Sequence, residues 1–248
     1  MSKPILGIDV GATGVKGALV DVSKGELLHE RIRILTPQPA TPDAIAGVIK
    51  QIVDQLEYKG PVGVGFPSII KDGVCASANN IDPSWIGVNV NELLSDKLSC
   101  KVKSFNDADC AGVAESRFGR IRDVHGVAIL LTIGTGIGSA FFYDGKLVPN
   151  LELGNLRLDK FSGKGENYVS NKARKEHHLS WKQWGKRFNK FLNIVDEIFS
   201  PRIIVLGGGI SKKFERYSDY LKVDTEVVPA RLFNDSGIIG AAMLWEGE

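Results

Sequence analysis

This 248-residue chain is organised around two similar stretches, Asp9-Val-Gly-Ala-Thr-Gly-Val-Lys-Gly-Ala18 and Thr132-Ile-Gly-Thr-Gly-Ile-Gly-Ser-Ala140. Each stretch places a short turn of glycine and hydroxyl-bearing residues between two apolar runs, which is typical of a β-hairpin. Further along the chain from each hairpin, strands alternate with helices. This repeated order predicts an α/β protein made of two related lobes with a cleft between them.

The rest of the chain provides strands and helices for both lobes. The predicted strands cover residues 4–10, 14–21, 27–35, 62–66, 101–105, 124–133, 138–143 and 203–206. The predicted helices cover residues 42–56, 106–118, 181–199 and 235–245, and residues 71–90 are expected to form a long loop. We assign residues 1–105 to an N-terminal lobe and residues 106–233 to a C-terminal lobe. Residues 234–248, with the last helix, are expected to pack back on the N-terminal lobe.

The composition excludes several classes of protein. Lys and Arg total 31 and Asp and Glu total 29, and this near-neutral balance argues against a nucleic-acid or membrane-surface partner. The apolar runs are shorter than the roughly 18 residues of a membrane span, and the first strand begins too early for a signal peptide. Three cysteines without a Cys-x-x-Cys spacing predict neither disulfides nor a cysteine zinc site. We therefore expect a cytoplasmic protein.

The glycine turns are candidate phosphate sites, because backbone N–H groups without a neighbouring Cβ can converge on an anion. The candidate phosphate or nucleotide contacts in and beside the two turns are Asp9, Gly11, Ala12, Thr13, Gly14, Lys16, Thr132, Gly134, Thr135 and Gly136. Asp9 could also hold Mg²⁺ through water. Gly208 and Gly209, between a strand and a predicted helix, form a third candidate, although an ordinary strand-to-helix turn explains them equally well. Plain hairpins are the alternative for the two turns, and their similarity favours phosphate binding.

A third polar cluster, Asn106-Asp-Ala-Asp109, follows a strand and opens a helix. A carboxylate there lies near the positive end of the helix dipole and stays ionised, so it can accept a proton from an attacking alcohol. Asn106 or Asp107 could instead serve only as the helix N-cap. The two interpretations are compatible.

Together these motifs resemble the ROK family of sugar kinases, and within it the polyphosphate glucokinase branch. The similarity runs in order along nearly the whole chain. It also includes Gly65-Phe-Pro-Ser68, Ala78-Asn-Asn-Ile-Asp82 with Trp85, Val148-Pro-Asn150, Glu152-Leu-Gly154 and Gly207-Gly-Gly-Ile-Ser211. The resemblance implies a two-lobed actin-like ATPase fold (ribonuclease H-like, hexokinase-type). It implies phosphoryl transfer from polyphosphate or ATP, with Mg²⁺, to the 6-hydroxyl of glucose, and commonly a homodimer.

The resemblance also assigns roles to individual residues. Asp107 matches the general base. The positions that match or plausibly provide sugar contacts are Ser68, Asn80, Asn106, Asp107, Glu152, Asn155 and Glu166. The family usually carries His where this chain has Asn155, which leaves open a different hexose, such as mannose or an amino sugar, and argues further against zinc. Some family members are non-catalytic sugar sensors with an added N-terminal DNA-binding segment, and the early first strand here favours a kinase.

Residues 157–190 are basic, with ten Lys or Arg against three Asp or Glu. Such a local field beside a phosphate site would attract a long polyanion such as polyphosphate. A solvated helix face is the alternative, since charge runs usually have no other role.

Overall fold

The strands and helices of this protein are given by a computed structural model that describes residues 3–158 and 163–246. The first part of the chain forms β1 (Ile5–Gly11), β2 (Gly14–Asp21), β3 (Glu26–Leu27), β4 (Ile32–Ile34), α1 (Pro42–Gln55), β5 (Val62–Phe66), β6 (Ile70–Lys71), β7 (Val74–Cys75), α2 (Val90–Leu98), β8 (Val102–Asn106) and α3 (Asp107–Phe118). The second part forms β9 (Val127–Ile133), β10 (Ile137–Tyr143), β11 (Lys146–Val148), α4 (Glu166–Val169), α5 (Asn171–Glu176), α6 (Trp181–Phe199), β12 (Ile203–Gly207), β13 (Glu226–Pro229) and α7 (Ser236–Met243).

The chain divides into two units. One unit runs up to Ala114 and resumes at Asp235, and the other runs from Glu115 to Asn234. The sequence placed the first boundary between residues 105 and 106, ahead of α3. The start of α3 lies in the first unit because Gly240 of α7 packs on Cys110, where a Cβ would come within 1.7 Å of the Cys110 carbonyl oxygen.

The first unit is built on a six-stranded sheet in the order β3-β2-β1-β5-β8, with β4 also paired to β2. β1 and β2 form an antiparallel hairpin, whereas β5 and β8 join β1 as parallel strands. The core includes Ile45, Ile49 and Ile52, which α1 contributes at helical spacing. Fully buried Trp85 joins this core and donates its ring N–H to the Ala40 carbonyl at 2.9 Å.

Helix α7 packs unusually close to the first sheet. A Cβ on Gly7 of β1 would lie 2.0 Å from the Ile238 carbonyl oxygen, and one on Gly63 of β5 would lie 1.8 Å from that of Ala241. Only glycine allows backbones to approach so closely. These glycines therefore dock the last helix of the chain directly on the strands that lead to the candidate site.

The second unit repeats this plan with a five-stranded sheet in the order β11-β10-β9-β12-β13. β9 and β10 form the antiparallel hairpin, and β12 and β13 are the parallel strands. Helix α6 starts with a capping box between Ser180 and Gln183 and buries Trp184, Phe188 and Phe191. Both predicted hairpins are thus present, and each begins a sheet that continues with parallel strands.

The structure corrects several predicted elements. Residues 27–35 form two short strands instead of one, because the His29 side chain accepts the Leu19 N–H at 3.2 Å and residues 28–31 leave the ladder. The predicted loop 71–90 contains β7 and a 3₁₀ turn, and it ends at the missed helix α2. The missed elements also include α4, α5 and β13. Among the described residues, no helix has both the length and the apolar composition to cross a membrane.

Candidate active site

The first glycine turn closes the β1–β2 hairpin, with Gly11 and Gly14 paired and Ala12 and Thr13 between them. Two side chains from the following segment hold its carbonyl groups: Thr36 Oγ1 donates to the Gly11 oxygen at 2.5 Å, and Arg33 Nη2 donates to the Thr13 oxygen at 3.1 Å. Within the described part of the chain, the Ala12 and Thr13 N–H groups have no hydrogen-bond partner. The turn therefore offers two backbone donors to an anion.

Asp9 and Lys16 lie directly opposite each other on β1 and β2. Lys16 Nζ donates to Asp9 Oδ2 at 2.7 Å, and the Asp9 side chain is only 15% exposed. The sequence predicted separate roles, with Asp9 for a metal and Lys16 for a phosphate. The structure instead joins them in a partly buried ion pair, so each largely neutralises the other's charge.

Asp9 is the candidate Mg²⁺ ligand of the first unit. Mg²⁺ usually takes one or two carboxylates and completes its shell with water and substrate phosphates. The carboxylate of Asp9 faces Gly237, where an added Cβ would lie 3.1 Å from Asp9 Cγ and fill the space beside it. The described residues hold no cluster of three or more His, Cys, Asp or Glu side chains arranged for a metal, so the donor phosphates would have to supply the remaining ligands.

Asn106 is the cap of α3. Its Oδ1 accepts the N–H groups of Ala108 at 2.9 Å and Asp109 at 3.1 Å, and its Nδ2 donates to the Ser68 carbonyl at 3.1 Å. These hydrogen bonds use both polar atoms of the buried side-chain amide, and they fix the start of α3. The N-cap interpretation therefore applies to Asn106, and Asp107 is the neighbouring residue that this cap positions.

Asp107 is half-buried at the first position of α3, and its Oδ1 accepts the Ala108 N–H at 2.8 Å. Gly65 lies between Asp107 and Asp9: Gly65 is in register with Asp9, and a Cβ on Gly65 would lie 3.5 Å from Asp107 Cα. Burial, followed by the charges of Asp109, Asp107 and Asp9, raises the pKa of the Cys110 thiol well above its usual value. The first unit thus places the carboxylates of Asp9, Asp107 and Asp109 close enough for their charges to act on the Cys110 thiol.

Ser68 and Asn80, the other two predicted sugar contacts of this unit, differ in their exposure to solvent. Ser68 is buried, and its hydroxyl donates to the Ser77 carbonyl at 2.6 Å and lies 3.0 Å from the Cys75 sulfur. Its hydroxyl thus ties the end of β5 to the segment after β7. Asn80 is exposed in a bend ahead of the 3₁₀ turn Pro83–Trp85.

The second glycine turn spans Gly134–Gly136 in the second unit, with the Gly134 N–H bonded to the Gly136 oxygen at 3.0 Å. The Lys172 backbone N–H donates to the Gly134 oxygen at 3.3 Å, and the Ile137 N–H donates to Glu166 Oε2 at 3.4 Å. The N–H groups of Thr135 and Gly136 have no partner among the described residues. Like the first turn, this one offers two backbone donors, and half-buried Thr132 lies at the end of the strand that leads into it.

Gly208 lies against this second turn. It has a φ of +73°, and a Cβ there would lie 2.7 Å from the Ile133 carbonyl oxygen. Ser211 Oγ donates to the Gly208 oxygen at 2.7 Å, whereas Gly209 has open space where a side chain would be. The sequence predicted a helix after these glycines. The structure has only a 3₁₀ segment, Ser211–Arg216, that breaks at Lys213, so the glycine conformation and not a helix dipole shapes this corner.

Glu152 lies close enough to Glu166 to be affected by its charge. Burial, followed by the charge of Glu166, raises the pKa of Glu152, and Lys164 partly opposes this shift. Ser139 holds the Glu152 segment on both sides, since its hydroxyl donates to the Leu151 carbonyl and accepts the Leu153 N–H. The structure therefore brings together two side chains that lie on separate segments.

Asn155 ends the 3₁₀ turn that follows Glu152. The backbone N–H of Asn155 donates to the Glu152 carbonyl at 3.0 Å, and Asn155 is exposed to solvent. Gly154 beside it is buried against Ile137, where a Cβ would lie 2.4 Å from the carbonyl oxygen. The turn is fixed on the sheet, while position 155 is open to a ligand.

Residues 5–151 match the profile of the ROK family. This chain belongs to the ROK family. It is 41% identical to the polyphosphate glucokinase of Mycobacterium leprae (strain TN), over 96% of this chain and 73% of that protein. It is also 41% identical to the polyphosphate glucokinase of Mycobacterium tuberculosis (strain CDC 1551 / Oshkosh), over 96% and 89% of the two chains.

The solved structure of the inorganic polyphosphate/ATP-glucomannokinase from Arthrobacter sp. strain KM covers 98% of both chains. Its TM-score against this ROK family member is 0.95, and its sequence is 44% identical. The predicted actin-like ATPase fold is therefore confirmed, with its mixed strands and helices in two units.

Sequence reasoning missed Arg33 and Thr36, which hold the carbonyls of the first turn. No local motif marks them, because they reach the turn through the pairing of β4 with β2. It also missed the Asp9–Lys16 ion pair, although the spacing across a two-residue hairpin turn could have indicated it.

Proposed function

We propose that this ROK family member transfers a phosphoryl group from polyphosphate or ATP to the 6-hydroxyl of glucose. The observation that carries the proposal is the placement of Asp107 beside Gly65, which is in register with Asp9 on the strand that leads into the first glycine turn. The similarity to two polyphosphate glucokinases and to a polyphosphate/ATP-glucomannokinase supports the substrate and the donor.

In this mechanism Asp107 orients the sugar hydroxyl and accepts its proton. The glucose O6 then forms a bond to the terminal phosphorus, and the bridging P–O bond of the donor breaks. The products are a sugar 6-phosphate and either ADP or polyphosphate shortened by one unit. Since the base chiefly positions the nucleophile, most of the acceleration comes from alignment and neutralised charge.

The glycine turns supply the phosphate-binding groups in this proposal. The N–H groups of Ala12 and Thr13 in the first unit, and of Thr135 and Gly136 in the second, provide donors without side-chain rearrangement. Asp9 provides one ligand for Mg²⁺, and the metal, when bound, neutralises phosphate charge. Gly208 packs this corner against the second turn, and the open space at Gly209 leaves room for the adenosine side of ATP.

The second unit supplies the sugar-binding carboxylates. Glu152 and Glu166 can each accept two hydrogen bonds from neighbouring sugar hydroxyls. Because burial and the charge of Glu166 raise the pKa of Glu152, hydrogen-bond donors would stabilise its ionised form. Glucose hydroxyls would provide them.

Mannose is a second candidate substrate. Asn155 is exposed at the position where the family usually has His, and the Arthrobacter enzyme at 44% identity is a glucomannokinase. Asn is shorter than His and carries no charge, so it restricts the neighbouring sugar hydroxyl less.

The basic segment supports polyphosphate as a donor. Its exposed lysines on α5 and α6 are Lys172, Lys175, Lys182, Lys186 and Lys190. The Lys172 N–H bond to Gly134 joins this segment directly to the second phosphate turn. Lys160, another of the ten basic residues, lies outside the described residues.

We also propose that the protein acts in the cytoplasm as a homodimer. The family resemblance supports both, and Ile198 on α6 is an exposed apolar side chain suited to an interface. Light scattering of the purified protein should give twice the mass of one chain.

The function is tested by a coupled assay of sugar 6-phosphate formation. Glucose, mannose and N-acetylglucosamine are each combined with polyphosphate and with ATP. We expect turnover of glucose with both donors and weaker turnover of mannose. Absence of turnover for every combination, in a folded sample with Mg²⁺, would reject a kinase role and favour a sugar-binding protein.

A further inference from the structure

Three charged side chains form a row across three strands of the first sheet. Asp9 on β1 is in register with Lys16 on β2, and Lys16 is in register with Arg33 on β4. Residues directly opposite on antiparallel strands project from the same face of the sheet. Arg33 therefore joins the face that carries the Asp9–Lys16 pair.

Arg33 reaches along this face to the first glycine turn. Its Nη2 donates to the Thr13 carbonyl at 3.1 Å, and its Nε lies 2.8 Å from the place that a Cβ on Gly14 would occupy. The φ of Gly14 is not in the left-handed region, so the backbone there does not require glycine. Because glycine has no side chain, position 14 leaves a space that the Arg33 guanidinium fills, and this space is the seat of Arg33.

The charges of the row are unequally compensated. Lys16 is paired with Asp9 at 2.7 Å, whereas no carboxylate in the described part of the chain lies within ion-pair distance of Arg33. Arg33 is exposed, and the Thr13 carbonyl uses only one of the several N–H donors of its guanidinium. The uncompensated positive charge at the first turn is therefore that of Arg33, not that of Lys16.

We propose that Arg33 is a phosphate-binding residue for the phosphoryl donor. From its seat on Gly14, its free N–H groups contact phosphate oxygens of a donor held by the Ala12 and Thr13 N–H groups. A planar guanidinium suits this role, because it can donate two parallel hydrogen bonds to one phosphate. The inference rests on the proposed function in that it takes the first turn as a donor site.

Calorimetric titration with tripolyphosphate tests this role without requiring phosphoryl transfer. Arg33→Gln keeps polar length but removes the charge, and should raise the Kd about 10-fold or more, as expected for a lost charge-assisted hydrogen bond. Lys24→Ala is the matched control, because Lys24 is 67% exposed in the β2–β3 connection, at the opposite end of β2 from the turn. An Arg33→Gln variant with wild-type affinity, or an equal loss in Lys24→Ala, would overturn the proposal.

A double-mutant cycle tests the seat itself. Gly14→Ala adds a Cβ that displaces the guanidinium, so it should weaken tripolyphosphate binding about as much as Arg33→Gln. The double variant should bind no more weakly than either single variant, because both remove the same contact. Additive losses would contradict the claim that Arg33 acts from this seat.

Steady-state kinetics separates this inference from the proposed function. Arg33→Gln should raise the KM for the donor about 10-fold or more and leave the KM for glucose unchanged. A rise confined to glucose would contradict the role. If wild-type protein binds tripolyphosphate through Arg33 but turns over no sugar, the proposed function fails while the binding role stands.

Discussion

The two glycine turns are alike in sequence and differ in what surrounds them. The first has two residues between its strands and is flanked by the charged side chains of Asp9, Lys16 and Arg33. The second has three residues, and its neighbours are mostly backbone groups, from Lys172 and Gly208, with Glu166 as the exception. One sequence motif thus occurs in two different local environments. Charged side chains surround the first turn, whereas close backbone packing determines the shape of the second.

The strongest test of this difference is Gly208→Ala. The positive φ and the 2.7 Å approach to the Ile133 carbonyl predict a loss of about 2–4 kcal/mol in the free energy of unfolding, measured by urea denaturation. Gly209→Ala is the control, because a Cβ there meets no atom within 4 Å, and it should change stability by less than about 0.5 kcal/mol. Equal effects of the two substitutions would show that packing does not shape the second turn.

At the first turn, the corresponding test is Asp9→Asn. It removes one carboxylate from the Lys16 pair and from the candidate Mg²⁺ ligands, and should lower kcat/KM for the donor about 10-fold or more. Asp54→Asn removes an exposed carboxylate that is also paired with a lysine, Lys50 on α1, and should leave kcat/KM unchanged. Comparable losses in both variants would mean that the charge of Asp9 has no local role.

A smaller effect is expected from Glu152→Gln in the second unit. Burial and Glu166 raise the pKa of Glu152 above its unfolded value, so the native state holds this proton more tightly than the unfolded chain. Native stability is then lost as pH rises from the ordinary glutamate range through the raised pKa. Glu152→Gln lacks this pH-dependent loss, so its Tm relative to wild type should rise as the pH increases above the ordinary glutamate range. A difference that stays constant or falls with pH contradicts the assignment.

Much of this fold was predictable because its longer elements have strong local signals. Helix α6 was predicted at its observed bounds, since Ser180 caps a long amphipathic pattern. Helix α2 was missed because the Gly- and Asn-rich segment before it suggested a loop, although Asn89 caps it. The short helices α4 and α5 have too few residues to show a periodicity.

The candidate site was predictable only where its residues lie in compact motifs. Both turns and the Asn106–Asp107 pair could be found locally, whereas the sequence could not show that Gly65 lies between Asp9 and Asp107. Arg33 depends on strand register, which no local pattern specifies. Glu152 and Glu166 were expected as sugar contacts only from the family resemblance, and their proximity was not predicted because the two lie on different segments.

The role of Asp107 as the base is tested most directly by the turnover of Asp107→Asn with glucose and polyphosphate. Asparagine keeps the shape of the side chain but cannot accept the proton of the sugar hydroxyl. We predict that kcat falls by about 10²–10⁴ while the Kd for glucose, measured by calorimetry, stays near the wild-type value. An unchanged kcat in this variant would contradict the assignment of Asp107 as the base.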